Sequence, residues 1–333
     1  MKISFPKGIW SFIASAFIGA VYGLLARVVF QYRGEGFAGD IFGVMTVGFM
    51  FFVPLALGFL TIWFLDSVKK SLFLVEIFLP WASILVLLFM TFITGLEGSI
   101  CILMATPVLL VMSSIGGVLA GVVRRMIDKR NARNGNSILG FMPFAMLLLP
   151  VFVSGIESQV NAPLEMRTVD TEIEISASPE TIWNEIIRVR KIENEELEST
   201  FFHSIGFPKP LEATLTHEGI GGVRHATFDG GVLFVETVTL WEEKKKLGFT
   251  IKADKIPPGT LDEHVTIGGE YFDVLYGEYE IVPNSNGKAT LKLLSRERVS
   301  TRFNFYAGFW TDWVMRDIQE SILKVIKKRC EDK

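Results

Sequence analysis

The chain has 333 residues, half of them hydrophobic, and a formal net charge of −3. The charge is divided unevenly: the balance is +4 up to Pro163 and −7 from Leu164 onward, so two unlike segments meet near residues 157–168. An acidic second half argues against nucleic acid as a partner, because phosphate recognition needs a basic face, and two cysteines, Cys101 and Cys330, make no disulfide framework.

Crossing a hydrocarbon core takes about 20 apolar residues in a helix. Five segments fit: Ile9–Phe30, Ile41–Leu65, Leu72–Ile93, Ser99–Val123 and Ile138–Ile156, the last carrying Pro143 and Pro150. They predict an all-α transmembrane bundle of about five spans over residues 1–156. The first run is too long for the apolar core of a signal peptide, and more runs follow it. Nine basic residues (Lys2, Lys7, Lys69, Lys70, Arg124, Arg125, Lys129, Arg130 and Arg133) fall on one side of a five-span arrangement, against Arg27, Arg33 and Arg167 on the other. The positive-inside rule then gives an integral plasma (inner) membrane protein with a cytoplasmic N-terminus and an extracytoplasmic second half. A re-entrant fifth segment would leave the second half in the cytoplasm.

Polar groups in these runs are few. Glu76 reads as an interfacial carboxylate near Lys69 and Lys70, with an ion path as the alternative. Gly117 and Gly121, beside Gly116 and Ala120, make a small-xxx-small spacing suited to close helix packing, within one bundle or in a homo-oligomer.

Residues 157–168 read as a linker, and a compact domain follows over 169–330. Val169–Ile175 alternates as a strand, with Val169, Thr171, Ile173 and Ile175 on one face. Ser178-Pro179-Glu180 starts a helix: serine caps, proline suits the first turn, and glutamate suits the positive end. Strands are expected at about 211–217, 222–229, 232–242, 246–254, 265–282 and 288–300, punctuated by Gly221-Gly222, a tight hairpin at Gly230-Gly231, and a turn at Asn284-Ser285-Asn286-Gly287. A long helix, about Asn304–Cys330, carries Trp310, Val314, Ile318, Ile322, Val325 and Ile326 on one face. The order predicts an α+β domain: a curved antiparallel sheet around one long C-terminal helix, an arrangement that can leave a hollow between them.

Several pieces of this half resemble a known superfamily. They are Ile173-Glu174-Ile175-Ser176-Ala177-Ser178-Pro179-Glu180-Thr181-Ile182-Trp183, Gly219-Ile220-Gly221-Gly222-Val223-Arg224, Thr239-Leu240-Trp241-Glu242-Glu243 with Leu247-Gly248-Phe249, and Trp310-Thr311-Asp312-Trp313 leading into Ile322–Lys327. In that order they resemble the SRPBCC, or START-like, helix-grip superfamily of polyketide cyclase/dehydrase-like and lipid-transport domains. The resemblance covers about residues 169–330; the membrane half resembles nothing that can be named. It implies a cavity for a hydrophobic ligand and no particular reaction.

Strand parity selects the wall of such a cavity. Arg224, Ala226 and Phe228 share one face, as do Phe234, Glu236, Val238 and Leu240. If those faces look inward, Arg224 and Glu236 must pair with each other or with a ligand head group, since a lone buried charge is costly. The bland reading is a structural salt bridge or a solvent-facing surface. Trp183, Phe201, Phe202, Phe207, Tyr271, Phe272, Trp310 and Trp313 are aromatic candidates for the lining, with plain core as the alternative. His203 and His225 have the right type for acid/base work but no visible partner. None of the four histidines (His203, His217, His225, His264) has zinc-site spacing, so no metal or other cofactor is expected.

The leading expectation is a non-catalytic, membrane-tethered domain that binds a lipid or other hydrophobic small molecule. The alternatives are a cyclase- or dehydrase-like enzyme, which requires a polar cluster in the cavity, and a sensor or assembly protein with a protein-binding soluble domain, which requires a filled interior.

Overall fold

A computed structural model describes residues 7–31, 41–65, 73–134, 141–261, 264, 266–284 and 287–332. Lys2, Arg33, Lys69, Lys70, Leu72, Ile138, Ser285 and Asn286, used above, lie outside the described residues, as do the side chains of Lys7, Arg130 and Arg133. The chain divides into two compact units, Met1–Ala162 and Pro163–Lys333.

The first unit contains α1 (Lys7–Val29), a π-turn (Gly48–Phe52) leading into α2 (Val53–Trp63), α3 (Phe73–Ile93), α4 (Ser99–Asn134) and α5 (Phe141–Glu157). Among the described residues, three helices rather than five are long and apolar enough to cross a membrane: Ile9–Val29, Phe73–Ile93 and Ser99–Lys129. The second expected run is continuous helix only over Gly48–Trp63, because Phe42–Thr46 bends through Gly43. The fifth is described as helix over 17 residues, with Pro150 inside. Both fall short of the about 20 residues that a hydrocarbon core takes.

Contacts set the helix directions. Gly19 and Gly23 of α1 face Ser83 and Leu87 of α3 in parallel, and Thr61 and Leu57 of α2 in reverse. Arg124 near the end of α4 donates to the carbonyls of Ile62 (2.7 Å) and Leu65 (3.0 Å) at the end of α2. Glu157 at the end of α5 accepts from the backbone N–H groups of Val47 and Gly48 at 2.9 and 3.1 Å, before α2 begins. Successive helices therefore alternate in direction. α2 is the hub, with every residue from Val53 to Ile62 buried. Large apolar side chains such as Phe17, Leu25, Phe89 and Phe152 point outward, as lipid-facing residues do.

Close approach holds the bundle together. A Cβ on Gly58 would sit 1.9 Å from the Ser113 carbonyl oxygen, and one on Gly116 would sit 1.9 Å from that of Leu55. Gly117 and Gly121 back onto Glu76. That carboxylate, in the first turn of α3, is fully buried and paired with Arg125 (Nη2 to Oε2, 3.2 Å). The small residues thus serve close helix contacts within this bundle.

The second unit is a seven-stranded antiparallel sheet with helices, and it fits the helix-grip arrangement. Its elements are β1 (Glu165–Ile175), α6 (Pro179–Ile187), α7 (Phe201–Ser204), β2 (Pro210–Leu215), β3 (Val223–Phe228), β4 (Val232–Glu242), β5 (Lys246–Lys255), β6 (Phe272–Pro283), β7 (Ala289–Val299) and α8 (Asn304–Glu331). The strand order is β1-β7-β6-β5-β4-β3-β2, so the first and last strands pair and every other neighbour follows in sequence. β1 begins at Glu165, inside the stretch read as linker, because Glu165–Thr168 finds backbone partners in Arg296–Val299. Ser178 caps α6, accepting from the Thr181 N–H at 3.2 Å. Gly230 and Gly231 turn the β3–β4 connection at φ 74° and 78°, a conformation that glycine adopts without strain.

α8 packs against β1 and β7. Its far end is fastened by Arg329, which binds Glu196 twice at 2.8 Å and the carbonyls of Arg190 and Lys191 at 3.1 and 2.9 Å. Replacing Gly58 or Gly116 by leucine is expected to cost the first unit about 1–3 kcal/mol through overpacking. Gly155→Leu, where a Cβ meets only Ile41 at 4.0 Å, should be tolerated. Thermal unfolding of the three variants in detergent checks this; equal midpoints would contradict the packing account.

Candidate ligand-binding site

An apolar cavity with a volume of ≈ 120 Å³ lies between α8 and the strands β4, β5 and β6. The sheet reaches it through the alternation of strands: Phe234 and Glu236 from β4, Phe249 and Ile251 from β5, Val274 and Tyr279 from β6, Leu293 and Ser295 from β7. Bulges at Leu233/Phe234 and Val274/Tyr276 bend the sheet beside it. α8 closes the other side with Met315, Ile318, Gln319 and Ile322, one helical face. Phe207, Pro208, Leu261 and Ile267 cover the rim from loops.

Two polar groupings interrupt this wall. At one end Arg224 and Glu236 are register partners on β3 and β4, and Arg224 Nη1 lies 3.1 Å from Glu236 Oε2. Arg224 also sits over the Phe249 ring, 4.6 Å from its centroid. Neither the Arg224 Nε nor the Glu236 Oε2 has a hydrogen-bond partner. Burial pushes the Glu236 carboxyl up, with Arg224 opposing it, and pushes the adjacent Tyr279 phenol up to about 12.

The second grouping is a chain of hydrogen bonds. The Gln319 amide of α8 donates to the Val169 carbonyl at 3.1 Å and to Ser295 Oγ at 2.6 Å. Its oxygen accepts from Thr171 Oγ1 at 2.9 Å, and Ser295 Oγ donates to Glu297. Glu297 is fully buried, and burial raises its carboxyl to about 7.

Of the residues selected from sequence, Phe207, Phe228, Phe234 and Glu236 line the cavity. Arg224 stands behind Glu236. Trp183 packs edge-on against Trp241, ring centroids 5.0 Å apart, in a core cluster that also holds Phe249, Tyr279 and Leu293 of the wall, without itself lining the cavity. Phe202 is buried edge-on to Trp313, and Trp310 stacks on Trp313, both away from the cavity. Tyr271 precedes β6 and Phe272 begins it, and the strand reaches the wall from Val274 onward. His203 belongs to a capping box with Thr200, and burial lowers its pKa. Sequence reading missed Tyr279, Ser295 and Gln319. The alternation Leu291, Leu293, Ser295, Glu297 on β7 carries the signal for the serine, and Gln319 is a polar residue inside the apolar stripe, between Met315 and Ile322, whose spacing names no partner.

No protein-family model matches the chain, and no curated protein matches it. Among solved structures, a truncated norcoclaurine synthase from Thalictrum flavum is 15% identical over 51% of this chain and 96% of its own, with a TM-score of 0.32. A START superfamily protein from Mycobacterium smegmatis is 14% identical over 50% of this chain and 97% of its own, with a TM-score of 0.34. A conserved protein of unknown function from Enterococcus faecalis is 14% identical over 50% of this chain and 72% of its own, with a TM-score of 0.28. Likeness of this size carries no argument about ligand or chemistry; the fold stands on its own strand order and terminal helix.

Glu297 generates a pH prediction. A carboxyl whose folded pKa is raised favours the protonated folded state, so its contribution is fully present below 4.5 and is lost as pH rises through about 7. The loss is on the order of 3 kcal/mol at alkaline pH. Glu297→Gln should unfold at the same temperature as the wild type at pH 4.5 and at a higher temperature at pH 8. A difference independent of pH would refute the assignment.

Proposed function

We propose that this chain is an integral membrane protein whose second unit captures a compact hydrophobic molecule between α8 and the sheet. The observation that carries the reading is the unfilled apolar cavity. Its wall is almost wholly apolar, so a hydrophobic guest that displaces water from it gains free energy in proportion to the apolar area covered. An apolar cavity of about 150 Å³ accepts benzene, whereas drug-sized pockets run to roughly 300–1,000 Å³. The guest that fits without rearrangement is therefore one ring or a short branched chain; a full lipid requires α8 or the rim to move.

Membrane insertion is supported by three long apolar helices and by the outward-facing apolar side chains of the first unit. Helix direction and the placement of basic residues support an orientation. Arg124 and Arg125 lie at the end of the bundle where α2 and α4 finish, the same end at which α1 begins. The opposite end holds Glu97, paired with Arg27 at 2.6 Å, and Glu157, from which the chain continues to the second unit. Positive charge inside then makes the first end cytoplasmic and the second unit extracytoplasmic.

A second reading, catalysis on a hydrophobic substrate, is favoured by one observation: Glu236 and Tyr279 are ionisable groups on the cavity wall with raised pKa values. It requires these two to act on the guest as an acid–base pair, since they are the ionisable groups of the wall among the described residues.

Val274→Phe should fill the cavity. Wild-type chain purified from membranes in mild detergent is expected to release a small apolar molecule on solvent extraction. The variant should release none and unfold at an equal or higher temperature. Failure to recover any molecule from wild type, whatever the membrane source, removes the capture reading. A reporter active only outside the cytoplasm, fused after Lys333, should be active; silence there together with activity of a cytoplasmic reporter reverses the orientation.

A further inference from the structure

The N-terminal half of α8 carries an aromatic ridge that neither the cavity nor the core uses. Phe305, Phe309 and Trp313 recur every four residues, so they share one face, and they are 77%, 59% and 42% exposed. Phe201, 46% exposed, lies flat on Trp313 with ring centroids 5.6 Å apart and planes inclined by 5°. Trp310 and buried Phe202 support the ridge from below, at 5.4 and 5.2 Å from Trp313. The ridge is therefore preformed, and its rings are not free to turn inward and escape water. Contiguous exposed apolar surface of this kind marks an interaction site.

Three observations identify the occupant. The first is location. Asn304, opening α8, donates from Nδ2 to the Pro163 carbonyl at 2.8 Å, so the ridge starts where the chain arrives from the apolar helices. The six steps of chain from Glu157 to Pro163 reach at most about 22 Å even when fully extended. The second is charge. The second unit is acidic overall, yet the acids flanking the ridge, Asp312 and Glu165, are both engaged by Arg167, with Nε 2.8 Å from Asp312 Oδ1. The third is composition: tryptophan and phenylalanine on a rigid helix face suit the headgroup boundary of a bilayer, where flat rings find both apolar and polar surroundings.

We infer that this face of the second unit rests in the bilayer interface, with Phe305, Phe309 and Trp313 immersed at the level of the headgroups. The inference rests on the membrane reading above and adds a second attachment to it. Docking there holds α8, one wall of the cavity, against the phase in which an apolar guest is most concentrated.

The test uses the full wild-type chain, one copy per nanodisc of phosphatidylcholine and phosphatidylglycerol, footprinted with hydroxyl radicals generated in the water phase. Ile220, 70% exposed on the β2–β3 turn, is the water-facing reference, and Phe89 of α3 is the lipid-facing one. Labelling of Phe305, Phe309 and Trp313 is expected to fall to the level of Phe89. If these three label as readily as Ile220 while Phe89 stays protected, the docking inference is overturned and membrane insertion stands. If Phe89 labels as well, the membrane reading itself fails. Protection that appears only with two copies per disc assigns the ridge to a second chain and also overturns the inference. The double variant Phe305→Ser, Phe309→Ser supplies an independent check: with the ridge undocked, Trp313 should regain labelling in the disc.

Discussion

The second unit depends on where α8 is pinned. Gln319 ties the middle of the helix to the Val169 carbonyl and Ser295, and Arg329 ties its end to Glu196 and two backbone carbonyls. A buried amide that satisfies all its bonds at once tolerates little displacement, because any shift leaves a donor or acceptor bare. The helix is thereby held to the β1–β7 side. The strands β4 to β6 curve away opposite it, and the cavity is the gap left by that asymmetry. Cavity and polar chain are two results of one constraint.

A similar logic orders the first unit. The bundle is held by close backbone approach at Gly58 and Gly116 and by paired charge at Glu76–Arg125 and Arg27–Glu97. Buried Glu76 has its counter-ion, Arg125, on α4, and buried Arg27 has its own, Glu97, in the turn between α3 and α4, as burial of a charge demands.

How much of this is readable without coordinates depends on the range of the interaction. Alternation along β3 and β4 announces the inner face that holds Arg224, Phe234 and Glu236, because a strand has one simple period. The serine cap and proline at the start of α6 are equally local. Tryptophans mislead: Trp183 and Trp310 have the residue type of a ligand wall but are placed in core and ridge by packing that no spacing records. Gln319 is invisible because its role arises only when β1, β7 and α8 meet. Hydropathy alone likewise overstates the spans, since it counts the apolar chain around Gly43 as helix and cannot see that the backbone bends there.

The pairing of β1 with β7 has a consequence for biogenesis. These strands lie more than a hundred residues apart, and the helix that covers their inner face is made after both. During synthesis, β2 to β6 must emerge with their greasy side bare until the final segment leaves the ribosome. Non-local closure of this kind is slow, and bare sheet surface invites aggregation meanwhile. A nascent chain whose first half is already inserted would pass that interval beside a bilayer, where a chaperone or the lipid itself can shield the unfinished sheet.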